Sequence, residues 1–434
     1  MSRLQFGTFL APHHPLGEHP TLQFQRDIEL AAHLDNLGFD EFWCGEHHST
    51  GWEMIASPEM FLAAAGQRTH TIRLGTGVVS LPYHHPFNVA QRMVQLDHMT
   101  RGRAMFGSGP GALPSDARTM GISPMVLRDR QDEALGVIRR LLAGEDRFSF
   151  ESEWFQLHDA ALQILPLQEH MPMAVASSIS PSGMQLAGKY GIGAISIAST
   201  SSEGIAALPT QWSFAEQAAA QHGQIVDRKN WRVLMSWHLA ETKEQARREA
   251  VHGLQRWHNE YNVDVLGRPG AMRVDDPWEL LDQVAESGAS VGGAAVVGTP
   301  DDLIAAIANL QRITGGFGVV LGFAHDWANH EATMRSWDMV ARYVVPALNG
   351  LLKPQRVSAE YVGANKAELM AGASAAIMSK IMAHEGAAQA MATTMAQMAE
   401  AAKQRAPGIG DTTFRPGAGL AAAHTDHTDH TDQA

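Results

Sequence analysis

Short apolar, β-branched runs recur along the chain, and the segments between them place apolar residues three or four positions apart. The runs lie at 4–10, 39–45, 72–80, 103–109, 172–178, 192–198, 232–240 and 317–324, and they read as eight strands. The segment after the first run shows the helical period, with Leu22, Ile28, Ala31, Ala32 and Leu34 on one face. Thr299, Pro300, Asp301 and Asp302 supply an N-cap, a first-turn proline and first-turn carboxylates for a helix that begins "LIAAIANL". Eight strands alternating with helices predict an α/β fold of the (β/α)8 TIM-barrel class, with parallel strands and right-handed crossovers. A doubly wound open sheet meets the same pattern, because periodicity does not close a barrel. The connections at 109–171 and 240–316 are too long for one helix, so they are expected to shape the mouth at the C-terminal ends of the strands.

The pattern changes beyond the last run. Residues 1–350 read as the barrel and 351–406 as a helical C-terminal extension. Its Ala- and Met-rich stretch 364–404 is expected to be helical with a break at Gly386, packed on the barrel or on another subunit; a Met-rich lid over an apolar site is the sharper reading. Residues 407–434 are rich in Gly, Thr, His and Asp and end in a polar three-residue repeat, which predicts a disordered tail; His424, His427 and His430 offer at most a weak metal site.

Composition narrows the function classes. A net charge of −13 argues against nucleic acid or an anionic membrane as a partner. The single cysteine, Cys44, excludes an internal disulfide framework and suits a reducing compartment. No secretory leader and no run of about 20 apolar residues is visible, so a cytoplasmic, soluble protein is expected.

The candidate chemistry sits at the ends of the apolar runs. Histidine pairs follow three of them, at His13–His14, His47–His48 and His84–His85, with Glu46 beside the second; His325 and Asp326 follow the last run. In a barrel these converge on one mouth. A metal-dependent barrel hydrolase draws on such histidines, but runs five and six end in Ser177, Ser178, Ser196, Ser199 and Thr200. No HxH, HExxH or CxxC spacing occurs, so no metal site is assigned. "GSGPGA" at 107–112 matches the dinucleotide fingerprint formally, but Pro110 removes a backbone donor and Pro114 follows before a helix is established. The serines of 176–183 offer hydroxyl and backbone donors to a phosphate, or form an ordinary turn. Thr76 and Gly77 stand where a flat ring can approach the backbone. Trp52, Met54, Phe106 and Trp237, with Trp43 and Trp327, are the candidate wall of an apolar substrate pocket; each alone reads first as a core residue, and it is a mouth rich in them that suits an aromatic cofactor with an apolar substrate.

The ordered series "FGTFL", "LGFDEFWCGEHHS", "RLGTGVVSLPYHHP", "LDHMTRGRAMFGSGPG", "AVASS" and "GTPDDL" resembles the bacterial luciferase-like flavin monooxygenases over roughly residues 4 to 345. Within that family, "GPGALPSDARTMGISP" and "ASSISPSGMQLAGKYGIG" look most like the limonene 1,2-monooxygenase branch. The resemblance implies a (β/α)8 barrel with FMN at its mouth, FAD being the alternative. The flavin would arrive reduced from a separate NAD(P)H-dependent flavin reductase and react with O2 to give a C4a-peroxyflavin that oxygenates a small apolar substrate. It implies His47 as the catalytic histidine. It also implies Thr76, Gly77 and Val78 as flavin contacts, with Gly77–Val78 the place for a non-proline cis peptide, and Ser177 and Ser178 as phosphate contacts. A homo-oligomer is implied as well. Two departures stand out: the luciferase α subunit has a carboxylate where Ser177 stands and a Cys-Arg pair where Gly109 and Pro110 stand. Arg128 or Arg130 is the candidate replacement for that arginine. The remaining alternatives are a deazaflavin-dependent dehydrogenase of the same family, a flavin-binding protein without turnover, and the metal hydrolase.

Overall fold

In the computed structural model, residues 3–11, 13–197, 202–268, 270–291 and 295–404 are described. Contacts divide the chain into two units, Met1–Leu352 and Lys353–Ala434. The first is built on a closed ring of eight parallel strands: β1 (Gln5–Leu10), β2 (Glu41–Cys44), β3 (Arg73–Thr76), β4 (Ala104–Gly109), β5 (Met173–Ser177), β6 (Gly193–Ser196), β7 (Trp231–Leu239) and β8 (Val319–Ala324). Each pairs with the next, and β8 closes on β1 from Gln5↔Val319 to Leu10↔Ala324. This is the (β/α)8 barrel; the open sheet is excluded.

Period-two alternation separates two layers. Phe9, Trp43, Met105, Ala174, Ile195, Leu234 and Leu321 fill the barrel interior, while neighbours such as Phe42, Phe106, Val175, Val233 and Val320 pack outward under the helices. Trp43 occupies the interior because its neighbours lack side chains: a Cβ on Gly75 would stand 2.5 Å from its ring, and one on Gly107 3.0 Å away. At the barrel floor, Arg232 grips Glu41 through Nε–Oε2 and Nη2–Oε1 bonds of 2.7 Å each, and the Trp43 indole N–H donates to the same carboxylate at 2.7 Å. The paired, fully hydrogen-bonded geometry is what lets these charges lie in the core.

Three departures from the pattern matter. The third run is interrupted: β3 ends at Thr76, a two-residue strand resumes at Val79–Ser80, and the Gly77–Val78 peptide between them is cis. The 109–171 connection holds helices Pro114–Thr119 and Leu127–Leu142 and an antiparallel hairpin, Phe148–Glu151 with Gln156–Ala160. The 240–316 connection holds a further parallel strand, Ala295–Gly298, on the C-terminal half of β7. It also holds a π-helix, Trp257–Val265, that runs on from helix Lys243–Arg256. Thr299 caps helix Pro300–Thr314 as expected, and Asp302 closes a reciprocal capping box with it.

The second unit contains two helices, Lys353–Met382 and Glu385–Gln404, so the break falls just before Gly386. The tail at 407–434 lies outside the described residues. No helix among those described is long and apolar enough to cross a membrane.

Candidate functional site

The loops that follow the strands meet at the C-terminal mouth of the barrel, where three carboxylates organise the histidines. Glu46, two residues past the end of β2, is buried; its Oε1 accepts from His48 Nε2 at 2.7 Å and His84 Nε2 at 2.8 Å, and its Oε2 from the Ser80 backbone N–H at 3.0 Å. Burial disfavours its charge, but the two histidines outweigh burial and hold it at about 2. The three ligand atoms lie within 4.8 Å of one another, near enough for one metal ion, yet the carboxylate is already closed by three donors.

Asp116, on helix Pro114–Thr119, reaches across to the β2 loop. Its Oδ2 accepts from His47 Nδ1 at 3.0 Å, and its Oδ1 accepts from the His48 backbone N–H at 3.1 Å and from the Ser49 hydroxyl. Burial pushes its carboxyl up, and the His47 and Ser49 bonds outweigh that and lower it.

Glu53 is the third. The β2 loop doubles back through His47 N–H to Ile55 O (3.1 Å) and is tied to the end of β1 by His14 N–H to Trp52 O (2.8 Å). That fold tucks Glu53 beneath the mouth, where its side chain is 4% exposed, 2.7 Å from His13 Nε2 and 3.3 Å from His47 Nε2. Burial again opposes the charge, and His13, His47 and the Tyr261 hydroxyl hold Glu53 at about 2. Tyr261 comes from the π-helix; its ring stacks edge-on to His13 at 4.6 Å and lies 5.4 Å from Trp52. For His47, burial disfavours the imidazolium, but Glu53 and Asp116 outweigh it and raise the ring above its ordinary value.

The other histidines hold loops. His14 bridges Asp27 (2.9 Å) and Asp326 (3.1 Å), and Arg26 adds a 2.8 Å contact to Asp326. Burial lowers His14, yet those two carboxylates push it up to about 9. His325 stacks on Trp327 at 3.6 Å, and burial pushes it down to about 3, so the ring is neutral.

The opposite side of the mouth carries hydroxyls. Ser177 closes β5 and is buried, with its Oγ 3.4 Å from Gln211 Oε1, while Ser178 is exposed. Ser180 and Ser182 share a 2.9 Å hydroxyl contact at the start of helix Ser182–Tyr190. No side chain caps that helix, and Gly183 presses it onto β5, since a Cβ there would stand 2.5 Å from Ala176 O. Uncapped first-turn N–H groups beside several hydroxyls suit a phosphate. Across from them, Gly109 faces Val78, and a Cβ on Gly109 would come within 2.5 Å of Val78 Cγ2. The donor set fits the phosphate of a cofactor, while the space at Gly109 is taken by Val78.

The structure sorts the residues expected from sequence. His47, Gly77, Val78, Ser177, Ser178 and Trp52 stand at or beside the mouth, with half-buried Met54 next to Glu53. Thr76 is turned away: its hydroxyl donates to Gly107 O and accepts from Gly107 N–H, both at 2.9 Å, and so joins β3 to β4. Phe106 and Trp237 are not pocket residues. Phe106 belongs to the outer core, and Trp237 packs edge-on against Trp337 at 5.2 Å, filling the space left by Gly322. Arg130 lies over the Trp154 ring at 5.1 Å and Arg128 is exposed, so neither is held at the serine segment by a contact. The G-x-G of 107–109 lies inside β4, not at a helix start. Asp116, Glu53 and Tyr261 carried no sequence signal.

Against known proteins, the family model for luciferase-like monooxygenases matches residues 4–315. The chain belongs to the luciferase-like monooxygenase family. It is 46% identical over 355 residues to 4-hydroxyprotoasukamycin monooxygenase of Streptomyces nodosus subsp. asukaensis, covering 81% of this chain and 94% of that one. It is also 46% identical over 353 residues to limonene 1,2-monooxygenase of Rhodococcus erythropolis, covering 81% and 89%. Among solved structures, the oxygenating constituent of 3,6-diketocamphane monooxygenase from Pseudomonas putida, in complex with FMN, superposes with a TM-score of 0.67 at 25% identity. That match covers 79% of this chain and 98% of the other. This luciferase-like monooxygenase is therefore a flavin-dependent oxidoreductase.

Proposed function

We propose that the protein binds reduced FMN at the barrel mouth and uses O2 to oxygenate a small apolar substrate, with a limonene-like terpene as the leading candidate. When bound, the reduced flavin supplies the two electrons that divide O2 between substrate and water. The observation that carries this reading is the His47 Nδ1–Asp116 bond of 3.0 Å at the mouth, together with the uncapped helix start beside the serines after β5. Asp116 accepts from Nδ1–H and fixes the ring, so that in the imidazolium form Nε2–H is the donor for a reacting oxygen. Ser177, Ser178, Ser180 and the N-terminus of helix Ser182–Tyr190 hold the phosphate; the backbone at Gly77–Val78 receives the ring. Trp52, with Tyr261 and Phe323 around His13, forms an aromatic wall that accepts apolar substrate and excludes water.

Limonene 1,2-monooxygenase at 46% identity supports an alkene substrate and an epoxide or hydroxylated product. The equal identity of 4-hydroxyprotoasukamycin monooxygenase supports a larger substrate of that kind as the second reading. The FMN complex of the diketocamphane enzyme supports FMN over FAD. A separate flavin reductase as the supplier is supported by a 27% identical relative named as an oxygenase component, the trigonelline monooxygenase of Acinetobacter baylyi.

The test is to mix the purified protein anaerobically with reduced FMN, admit 18O2 with limonene, and analyse the products by mass spectrometry. One 18O atom in a limonene epoxide or alcohol is expected. Flavin binding with hydrogen peroxide as the sole product from limonene moves the assignment to the larger substrate; no affinity for FMN overturns the proposal.

A further inference from the structure

Two carboxylates meet the ring of His47, and they do so differently. Asp116 takes a well-formed bond from Nδ1 at 3.0 Å. Glu53 Oε2 stands 3.3 Å from Nε2 in an ion-pair contact, and this buried oxygen has no aligned hydrogen bond among the described residues. The position of Glu53 is nonetheless strongly determined. His13, at the end of β1, holds it at 2.7 Å and forms an antiparallel backbone bridge with it, and Tyr261 reaches it from the π-helix. Three separate connections of the barrel therefore cooperate to keep one carboxylate oxygen without an aligned hydrogen bond beside the working nitrogen. A buried charge in that arrangement is costly unless a cation faces it.

We propose that Glu53 is a positioning residue that holds His47 as the imidazolium with Nε2–H in place, and that His13 and Tyr261 serve to fix Glu53 there. Because the contact with Nε2 is an ion pair and not an aligned bond, Glu53 stabilises the cation without consuming the proton. Nε2–H stays free to point at a reacting oxygen, while Asp116 keeps the ring from rotating. The groups facing His47 are Glu53 on its own loop, Asp116 from helix Pro114–Thr119, and Glu46 and His48 alongside; His13 and Tyr261 act through Glu53. The inference deepens the proposed function, since it assumes that His47 is the donor in that reaction.

The test separates the two. In the flavin-free protein labelled with 15N-histidine, the His47 ring is followed by long-range proton–nitrogen NMR over a pH series and assigned by its loss in His47→Gln. In Glu53→Gln the His47 titration is expected to fall by about one pH unit or more, while the Nδ1 proton stays bonded to Asp116. The high-pH limb of product formation should move down by the same amount, with little change in FMN affinity. Glu53→Asp, which keeps the charge but withdraws it by one methylene, should shift the titration in the same direction by less; it carries the comparison alone if Glu53→Gln does not fold. A His47 titration unchanged in these variants overturns the role of Glu53, whatever the protein does with oxygen. A shifted titration in a protein that makes no oxygenated product upholds the clamp and counts against the proposed reaction.

Discussion

The barrel buries carboxylates at both ends, and the two ends differ in the cation that faces them. At the floor, Glu41 meets the Arg232 guanidinium through two bonds of 2.7 Å, with Trp43 donating to the same group. At the mouth, Glu46, Glu53 and Asp116 meet His48, His84, His13 and His47. A guanidinium is a fixed charge with a rigid fork, whereas an imidazole gains and loses its proton near neutral pH. The floor therefore joins β2 to β7 permanently, and the mouth uses a similar burial of carboxylates to poise protons. The division matches the rule that the lower face of such barrels carries stability and the upper face chemistry.

Breaking the floor should have the largest effect on the fold. Arg232→Met leaves Glu41 buried without its cation, and a loss of about 3–5 kcal/mol is expected in chemical denaturation of the intact chain. Breaking the mouth should cost the fold less and stop the chemistry. His47→Ala is expected to reduce product formation by about 10² or more, and to lower the melting temperature by less than Arg232→Met does, since Glu53 and Asp116 lose one cation but keep His13 and the Ser49 hydroxyl. Flavin oxidation should continue in that variant, with the oxygen recovered as hydrogen peroxide. A smaller effect is expected at the hydroxyl side. Ser178→Ala or Ser180→Ala should weaken FMN binding by a few-fold to about tenfold, measured by quenching of flavin fluorescence.

The mouth should also set how stability depends on pH. His14 is raised from 6.5 to about 9, so its contribution is complete below pH 6.5 and is lost as pH rises through 9. Glu46 and Glu53 are lowered from 4.5 to about 2, so theirs is present above pH 4.5 and is lost as pH falls toward 2. Melting temperatures across that range should form a plateau between pH 4.5 and 6.5, and His14→Gln should flatten its alkaline side.

The eight strands were legible because each is a β-branched or aromatic run bounded by helical segments. Ala295–Gly298 was not, since four apolar residues inside a long connection do not stand out, and the Phe148–Ala160 hairpin alternates too weakly to read as strands. His47 was legible from its place after β2, and its partners were not. Asp116 reaches it from helix Pro114–Thr119 and Tyr261 reaches Glu53 from the π-helix, and no spacing along the chain encodes those contacts. Phe106 and Trp237 were misplaced for a different reason. A strand's apolar residues alternate between two faces, and composition alone does not say which face meets the barrel interior; with Met105 turned inward, Phe106 must turn out.

The most direct test of the account is the pH dependence of product formed per reduced flavin consumed, in the wild type and in His47→Gln. The account predicts a wild-type yield that holds through neutral pH and falls with one ionisation above the ordinary histidine value, and a low yield without that step in the variant. The same profile in both proteins would mean that His47 does not supply the proton, and would contradict the account.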